Sequence, residues 1–345
     1  MSNPQSARLK QIVERFSTIT ITVLGDLVAD EFVTGEISRI SREAPVLILQ
    51  HRETTIVPGG GANAINNLAD LGVRVLPVGL LGDDNAGNRL LQLFRQKKIS
   101  ITGIVRDKNH PTVTKSRIMA AMPHTWRQQV VRVDREPEIQ PSTETESKLI
   151  GFARQFSNDS HAVLISDYGY GVATPELAKQ LRGKKKSLTA PIVLDSRHRM
   201  LQYSGVTAAT PNESEVEEAL KRRIGQSWPN LCAAAEEVMS RMKLPSLVIT
   251  RGRDGMAVFS RKSDPVDIAI FGSDEIADVT GAGDTVIATF TAALAAGATP
   301  QEAAHLANYA GGIVVMKRGT ATVTRAELLA AIENSPPITR SHPRV

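Results

Sequence analysis

A chain of 345 residues, 41% apolar and 22% charged, can bury a sizeable core as one large α/β domain or two ordinary ones, which excludes a disordered or fibrous protein. The formal charge of +5 is dispersed, and the basic run RGKKKS (182–187) has no interleaved aromatics, so it reads as a solvated helix end and no nucleic-acid partner is expected. A single cysteine, Cys232, excludes a disulfide framework or thiolate metal site, and without a signal-peptide core or a long apolar run a cytoplasmic protein with no membrane partner is expected.

Apolar, β-branched runs alternate with helical periodicity along the chain. TITITVLGD (18–26) reads as a first buried strand. The segment from Glu31 to Gly60 breaks that rhythm, being rich in strand formers with no convincing helix. A helical pattern follows at 86–98, and Pro111–Glu136 again alternates like a strand in QQVVRVD. Further strands are predicted in AVLISDYG (162–169), APIVLDSR (190–197), GVTAATPN (205–212) and PSLVITRG (245–252), with helices in TPELAKQLRG (174–183) and NLCAAAEEVMSRM (230–242).

This order predicts an α/β fold with three layers, α/β/α, around a mostly parallel sheet covered on both faces. The two irregular segments, at about 31–57 and 111–134, predict a small β-sheet lid whose edge suits pairing in a homodimer. The chain reads as one domain over 1–345 with a disordered tail over about 334–345. In such sheets the ligand lies beyond the carboxyl ends of the strands, where Gly25-Asp26, Ser166-Asp167, Asp195-Ser196, Pro211-Asn212 and Thr250-Arg251-Gly252 gather.

DVTGAGDTVIATFTAALAAG (278–297) opens an apolar helix with two glycines and a carboxylate. Backbone N–H groups at a helix start lack intrahelical partners, and the helix dipole adds positive charge. Gly281 and Gly283 remove side chains that would hold an anion away, so Thr280, Gly281, Ala282 and Gly283 form a candidate phosphoryl hole. Asp284 follows, where the dipole favours its ionised form, placed to orient a hydroxyl for in-line attack and take its proton. The structural alternative is a capping Asp in a tight turn.

That signature, together with PGGGANAINNLADLG (58–72), resembles the PfkB/ribokinase family of carbohydrate kinases over roughly Thr18 to Leu329. The resemblance implies a ribokinase-like fold and an ATP-dependent phosphotransfer to a sugar. It implies Asp284 as catalytic base, with the amides of Gly281, Ala282 and Gly283 as anion hole. NESE (212–215) matches the element by which Asn212 and Glu215 arrange the water shell of Mg²⁺; helix capping is the alternative for both. Thr250, Gly252, Gly255, Thr280 and Asn308 match nucleotide-binding positions, and Asp278 and Thr280 are candidates for a monovalent cation such as K⁺. On the sugar side the match covers Asp30, Gly59, Gly60 and Asn63.

Within the family, GDLVADEFVTGEISRISREAPV (25–46), PTVTKSRIMA (111–120), QQVVRVDRE (128–136) and SDYGYG (166–171) resemble the branch that phosphorylates the anomeric hydroxyl of D-glycero-β-D-manno-heptose 7-phosphate for lipopolysaccharide-core synthesis. Lys115, Arg117 and Arg132 are then candidates to hold the phosphate already on the sugar, with solvated lid charge as the alternative. Two departures stand out. The branch's Asp-Pro-Lys-Gly element is DSRHR (195–199) here, where an arginine or histidine is a candidate to replace the lysine's charge with a different geometry, and no nucleotidyltransferase domain is expected in this chain. The alternatives are a family kinase for fructose phosphate, ribose or a nucleoside, and a non-catalytic sugar or nucleotide sensor, which would need no base at 284. A nicotinamide dehydrogenase is disfavoured because no G-x-G-x-x-G follows the first strand.

Overall fold

The chain runs α1 (Pro4–Glu14), β1 (Thr20–Gly25), β2 (Leu27–Ile40), β3 (Leu47–Gly60), α2 (Gly61–Asp70), β4 (Arg74–Gly82), α3 (Asn85–Gln96), β5 (Ile104–Asp107), β6 (Val113–Ala121), β7 (Gln128–Arg135) and α4 (Thr143–Asn158). It continues as β8 (Ala162–Asp167), α5 (Pro175–Gln180), β9 (Ile192–Ser196), β10 (Ala208–Ala209), α6 (Glu213–Leu220), α7 (Trp228–Met242), β11 (Ser246–Thr250), β12 (Met256–Ser260) and β13 (Ser263–Ile268). The last elements are α8 (Ala282–Ala295), α9 (Pro300–Val315), α10 (Arg325–Asn334) and β14 (Thr339–Arg340). This computed structural model describes residues 4–121, 128–181, 190–261, 263–272, 278–317, 319–335 and 338–340. The basic run 182–187 lies outside them.

The apolar strand runs are explained by burial on both faces. In β1, Ile21 and Val23 enter one core while Leu24 enters the other; in β8, Leu164 points opposite to Val163 and Ile165. One core packs α1, α2, α3, α8, α9 and α10 against the sheet, through side chains such as Phe16, Leu68, Phe94 and Phe290. The other packs α4, α5, α6 and α7, through Phe156, Leu177, Val216 and Val238. The result is the expected three layers.

The large sheet has the order β14-β13-β12-β11-β10-β9-β8-β1-β4-β5. Neighbours from β11 to β5 are parallel, and β12, β13 and β14 add on antiparallel. β1 pairs with β4 on one side and β8 on the other, so the strand order switches there and a crevice opens beyond its carboxyl end. The tail expected to be disordered is in part ordered: Thr339 and Arg340 pair with Ile268 and Asp267. Residues 336–337 and 341–345 of that tail lie outside the described ones.

The second sheet, β3-β2-β6-β7, is the predicted lid. Its roots reach further than expected, from Leu27 and to Gly60, because these ends are buried against the main body. β7 is exposed along its whole length, with Val130, Val131 and Val133 open to solvent. α8 is the converse: every residue from Asp284 to Ala293 is buried, which is why it is built from small side chains.

Candidate active site

A cleft of about 340 Å³ lies where β8, β9 and β11 end and β2 and β6 begin, against the first turn of α8. It gathers Asp30, Gly60, Lys115, Arg117 and Arg132 from the lid side, Asn212, Glu215 and Thr250 from the large sheet's side, and Thr280, Gly281, Gly283 and Asp284 from α8 and the loop before it. Residues as far apart in sequence as Val28 and Asp284 therefore share one chamber, which the strand-end rule anticipated.

Asp284 is 4% exposed and sits in the first helical turn. Its Oδ2 accepts from Asn63 Nδ2 at 2.9 Å and its Oδ1 from the Tyr168 hydroxyl at 2.7 Å. Burial pushes its carboxyl up to about 6, against the lowering effect of those two donors. The helix dipole was expected to favour the ionised form; loss of water outweighs it. A carboxylate poised just below neutrality is a better proton acceptor than an ordinary Asp.

Asn63 was expected to face the sugar. It is instead fully buried, and its amide is taken up by protein: Nδ2 reaches Asp284 and the Gly281 carbonyl, while Oδ1 accepts from Asn67 Nδ2 at 3.1 Å. Asn67 Oδ1 in turn accepts from the Thr285 hydroxyl at 2.9 Å. This chain of donors fixes which way the Asn63 amide points. Gly281 must be glycine for the same reason, since its φ is +77° and an added Cβ would lie 2.5 Å from Asn63 Nδ2.

The anion hole differs in one detail from expectation. The Ala282 N–H donates to the Val279 carbonyl at 3.2 Å, whereas the amides of Gly283 and Asp284 open the first turn with no intrahelical acceptor. Gly283 is exposed, and nothing stands within 4 Å of where its Cβ would be. Asp278 accepts from the amides of Thr280 and Gly319, which sets the loop that enters α8.

A second, apolar slot of about 170 Å³ continues from the cleft; Thr250, Val279 and Gly283 line both. Gly252, Gly255, Asn308, Gly311, Gly312 and Val286 form its walls, so the nucleotide-binding positions expected from sequence come together. A polar cleft joined to a flat apolar slot fits phosphates at one end and a base at the other.

Asn212 and Glu215 form a reciprocal capping box on α6, each side chain bonding the other's amide at 2.9 Å. Both also line the cleft. Glu215 and Asp195 are held above the usual carboxylate range, by burial first, and for Asp195 also by repulsion from Glu215 and Asp284. Among the described residues no three of His, Cys, Asp and Glu cluster to hold a metal ion directly, so a divalent cation here would meet these acids through its water shell and relieve their repulsion.

On the sugar side, Asp30 is buried and ion-paired to Arg117 Nη1 at 2.5 Å. Gly59 is required beside it, because a Cβ there would lie 2.4 Å from Asp30 Oδ2. Arg117 packs over Phe32, and Arg132 pairs with Asp134 at 2.9 Å. Lys115 is half-buried and stands over the rings of Tyr168 and Tyr170.

Among the cleft residues, Tyr168 and Arg197 were given no role from the sequence, and Asp195 was placed only among the polar residues at the strand ends. The stretches SDYGYG and DSRHR were noticed, but no single side chain in them was assigned. The signal was there, since each follows the carboxyl end of a strand. Tyr168 is set by a structural acid: Asp26 accepts the amides of Tyr168, Tyr170, Val172 and Ala173. Within DSRHR the arginines divide. Arg199 is tied to the buried Asp167, while Arg197 reaches the cleft over Tyr168.

The family model for pfkB family carbohydrate kinases matches residues 21–327. A curated relative, the bifunctional protein HldE of Mesorhizobium japonicum, is 39% identical over 96% of this chain and 66% of its own length. The HldE of Geobacter metallireducens is likewise 39% identical, over 91% of this chain and 63% of its own length, so the chain spans just under two thirds of these relatives. Among solved structures, Arabidopsis thaliana ribokinase complexed with ribose and ATP superposes with a TM-score of 0.72 at 18% identity, covering 92% of this chain and 99% of that one. That likeness shows the ribokinase-like fold.

Proposed function

The chain belongs to the pfkB family of carbohydrate kinases, phosphotransferases with an alcohol acceptor, and from that premise we propose that it transfers the γ-phosphoryl group of ATP to the anomeric hydroxyl of D-glycero-β-D-manno-heptose 7-phosphate, giving the 1,7-bisphosphate. The observation that carries this reading is the buried Asp284 carboxylate, held by Asn63 and Tyr168 beside the open amides of α8 and across the cleft from a cationic wall. The HldE relatives and the heptose-branch stretches support the choice of sugar.

In this reading Asp284 takes the proton of the attacking hydroxyl, and the Gly283 and Asp284 amides face the phosphoryl group as charge builds on it. Asp30, with Arg117 against it, meets sugar hydroxyls. Magnesium, when bound with the nucleotide, neutralises phosphate charge; Asn212, Glu215 and Asp195 are the residues that would meet its water shell. Asp278 and Thr280 are the positions proposed for K⁺. We place the enzyme in the cytoplasm, as a homodimer joined through the exposed valines of β7.

The test is ADP formation with heptose 7-phosphate, fructose phosphates, ribose and adenosine as acceptors. Heptose 7-phosphate should give the highest kcat/KM. A preference for any unphosphorylated acceptor defeats the choice of substrate.

A further inference from the structure

The cations at the sugar end of the cleft are not equivalent. Arg117 is neutralised by Asp30 and Arg132 by Asp134. Among the described residues, Lys115 and Arg197 have no carboxylate within ion-pair distance. Both instead stand over the ring of Tyr168, each 5.9 Å from its centroid. They also burden each other: after burial, Arg197 is the largest influence pushing the Lys115 ammonium below its ordinary range.

Two like charges that both stand against one ring and feel each other repel unless a negative group offsets them. Around them the cleft is acidic, for Arg197 also acts at longer range on Asp195, Glu215 and Asp284. A dianion entering here needs Arg197 to offset that field. The α8 amides and the apolar slot lie on the nucleotide side, whereas Lys115 comes from lid strand β6 and also covers Tyr170, whose hydroxyl is tied to Glu136 beyond β7. Lys115 therefore stands on the sugar side, and Arg197 meets it at the ring of Tyr168.

We propose that Lys115 and Arg197 together seat a phosphate dianion borne by the sugar, and that Arg197 is the residue selecting a phosphorylated over an unphosphorylated acceptor. This rests on the kinase reading above, and it moves the phosphate contact from Arg117 and Arg132 to an arginine in DSRHR. A bidentate guanidinium–phosphate contact is worth on the order of a 10- to 100-fold change in affinity.

The test uses the full chain with Arg197→Gln, Arg197→Lys and the double variant Lys115→Gln/Arg197→Gln. The KM for the sugar phosphate should rise about 10- to 100-fold in Arg197→Gln, with partial recovery in Arg197→Lys. The ratio of kcat/KM for phosphorylated over unphosphorylated sugar should fall by the same factor. An equal fall in kcat for both sugars with KM unchanged would place Arg197 on the transferred phosphoryl group and overturn the proposal, as would unaltered kinetics. Inorganic phosphate separates the two readings. It should raise the Tm of the wild type but not of the double variant. If it does so while no sugar phosphate is turned over, the seat stands and the heptose assignment falls; no Tm rise in the wild type overturns the seat.

Discussion

Asn63 and Asp284, 221 residues apart, meet at 2.9 Å, and the amide that makes this bond has no surface of its own. It is a positioning residue: it aims the carboxylate and lowers its proton affinity. Asn63→Ala should therefore raise the Asp284 pKa further above about 6. The acid limb of the kcat–pH profile should move to higher pH, with kcat down about 10-fold or more at neutrality. An unmoved limb would mean that the bond does not set the base.

Asp284→Asn should remove about 10²–10⁴ of the rate while sugar and nucleotide still bind. Its effect on stability has a defined sign. Folding lifts the carboxyl from 3.8 to about 6, so its contribution to stability is complete below the unfolded pKa and is lost as pH rises through the folded one. At pH 8 the buried charge costs up to about 3 kcal/mol, so the Asn variant should melt higher than wild type there, and the gap should close toward pH 4. Thermal melts across pH check this; a lower Tm at pH 8 contradicts it.

Tyr168→Phe keeps the ring beneath Lys115 and Arg197 but removes the hydroxyl on Asp284 Oδ1. The expected result is a raised acid limb and a roughly 10-fold loss of kcat, with little change in the KM for sugar phosphate. A pH–rate profile beside a KM measurement separates these effects.

The two arginines of DSRHR should behave oppositely. Arg199→Ala leaves the buried carboxylate of Asp167 without its ion-pair partner, held only by the Gly169 amide and the Ser196 and Tyr203 hydroxyls, and should lower stability by about 3 kcal/mol. Arg197→Ala breaks no ion pair of the described structure and should stay within about 0.5 kcal/mol of wild type. Urea denaturation of both variants decides it.

Much of this was legible in the chain, and the rest has physical reasons for being hidden. Alternating apolar runs revealed the central sheet because each strand is buried on two faces, as Leu164 between Val163 and Ile165 shows. Gly281 and Asp284 were readable because close approach to backbone demands a specific residue type at a specific spacing. Asn63 was legible as a site residue but not in its role, since its partner comes from α8. Tyr168 looks like any loop aromatic until Asp26 folds the loop around itself. The proton affinity of Asp284 was misjudged because dipoles are local and readable, whereas exclusion of water depends on the whole packing.

Strand β3 ends at Gly60 and α2 begins at Gly61, with no connecting loop. One continuous piece of backbone thus leads from the lid's rim to the side chain that holds Asp284. Should the lid move when acceptor binds, displacement at the far end of that lever is expected to reach Asn63, so that in the proposed kinase gripping the acceptor and setting the carboxylate would be one mechanical act. Amide exchange should slow in step along Leu47–Gly60 and at Asn63 when acceptor is added; protection confined to one of the two would uncouple them.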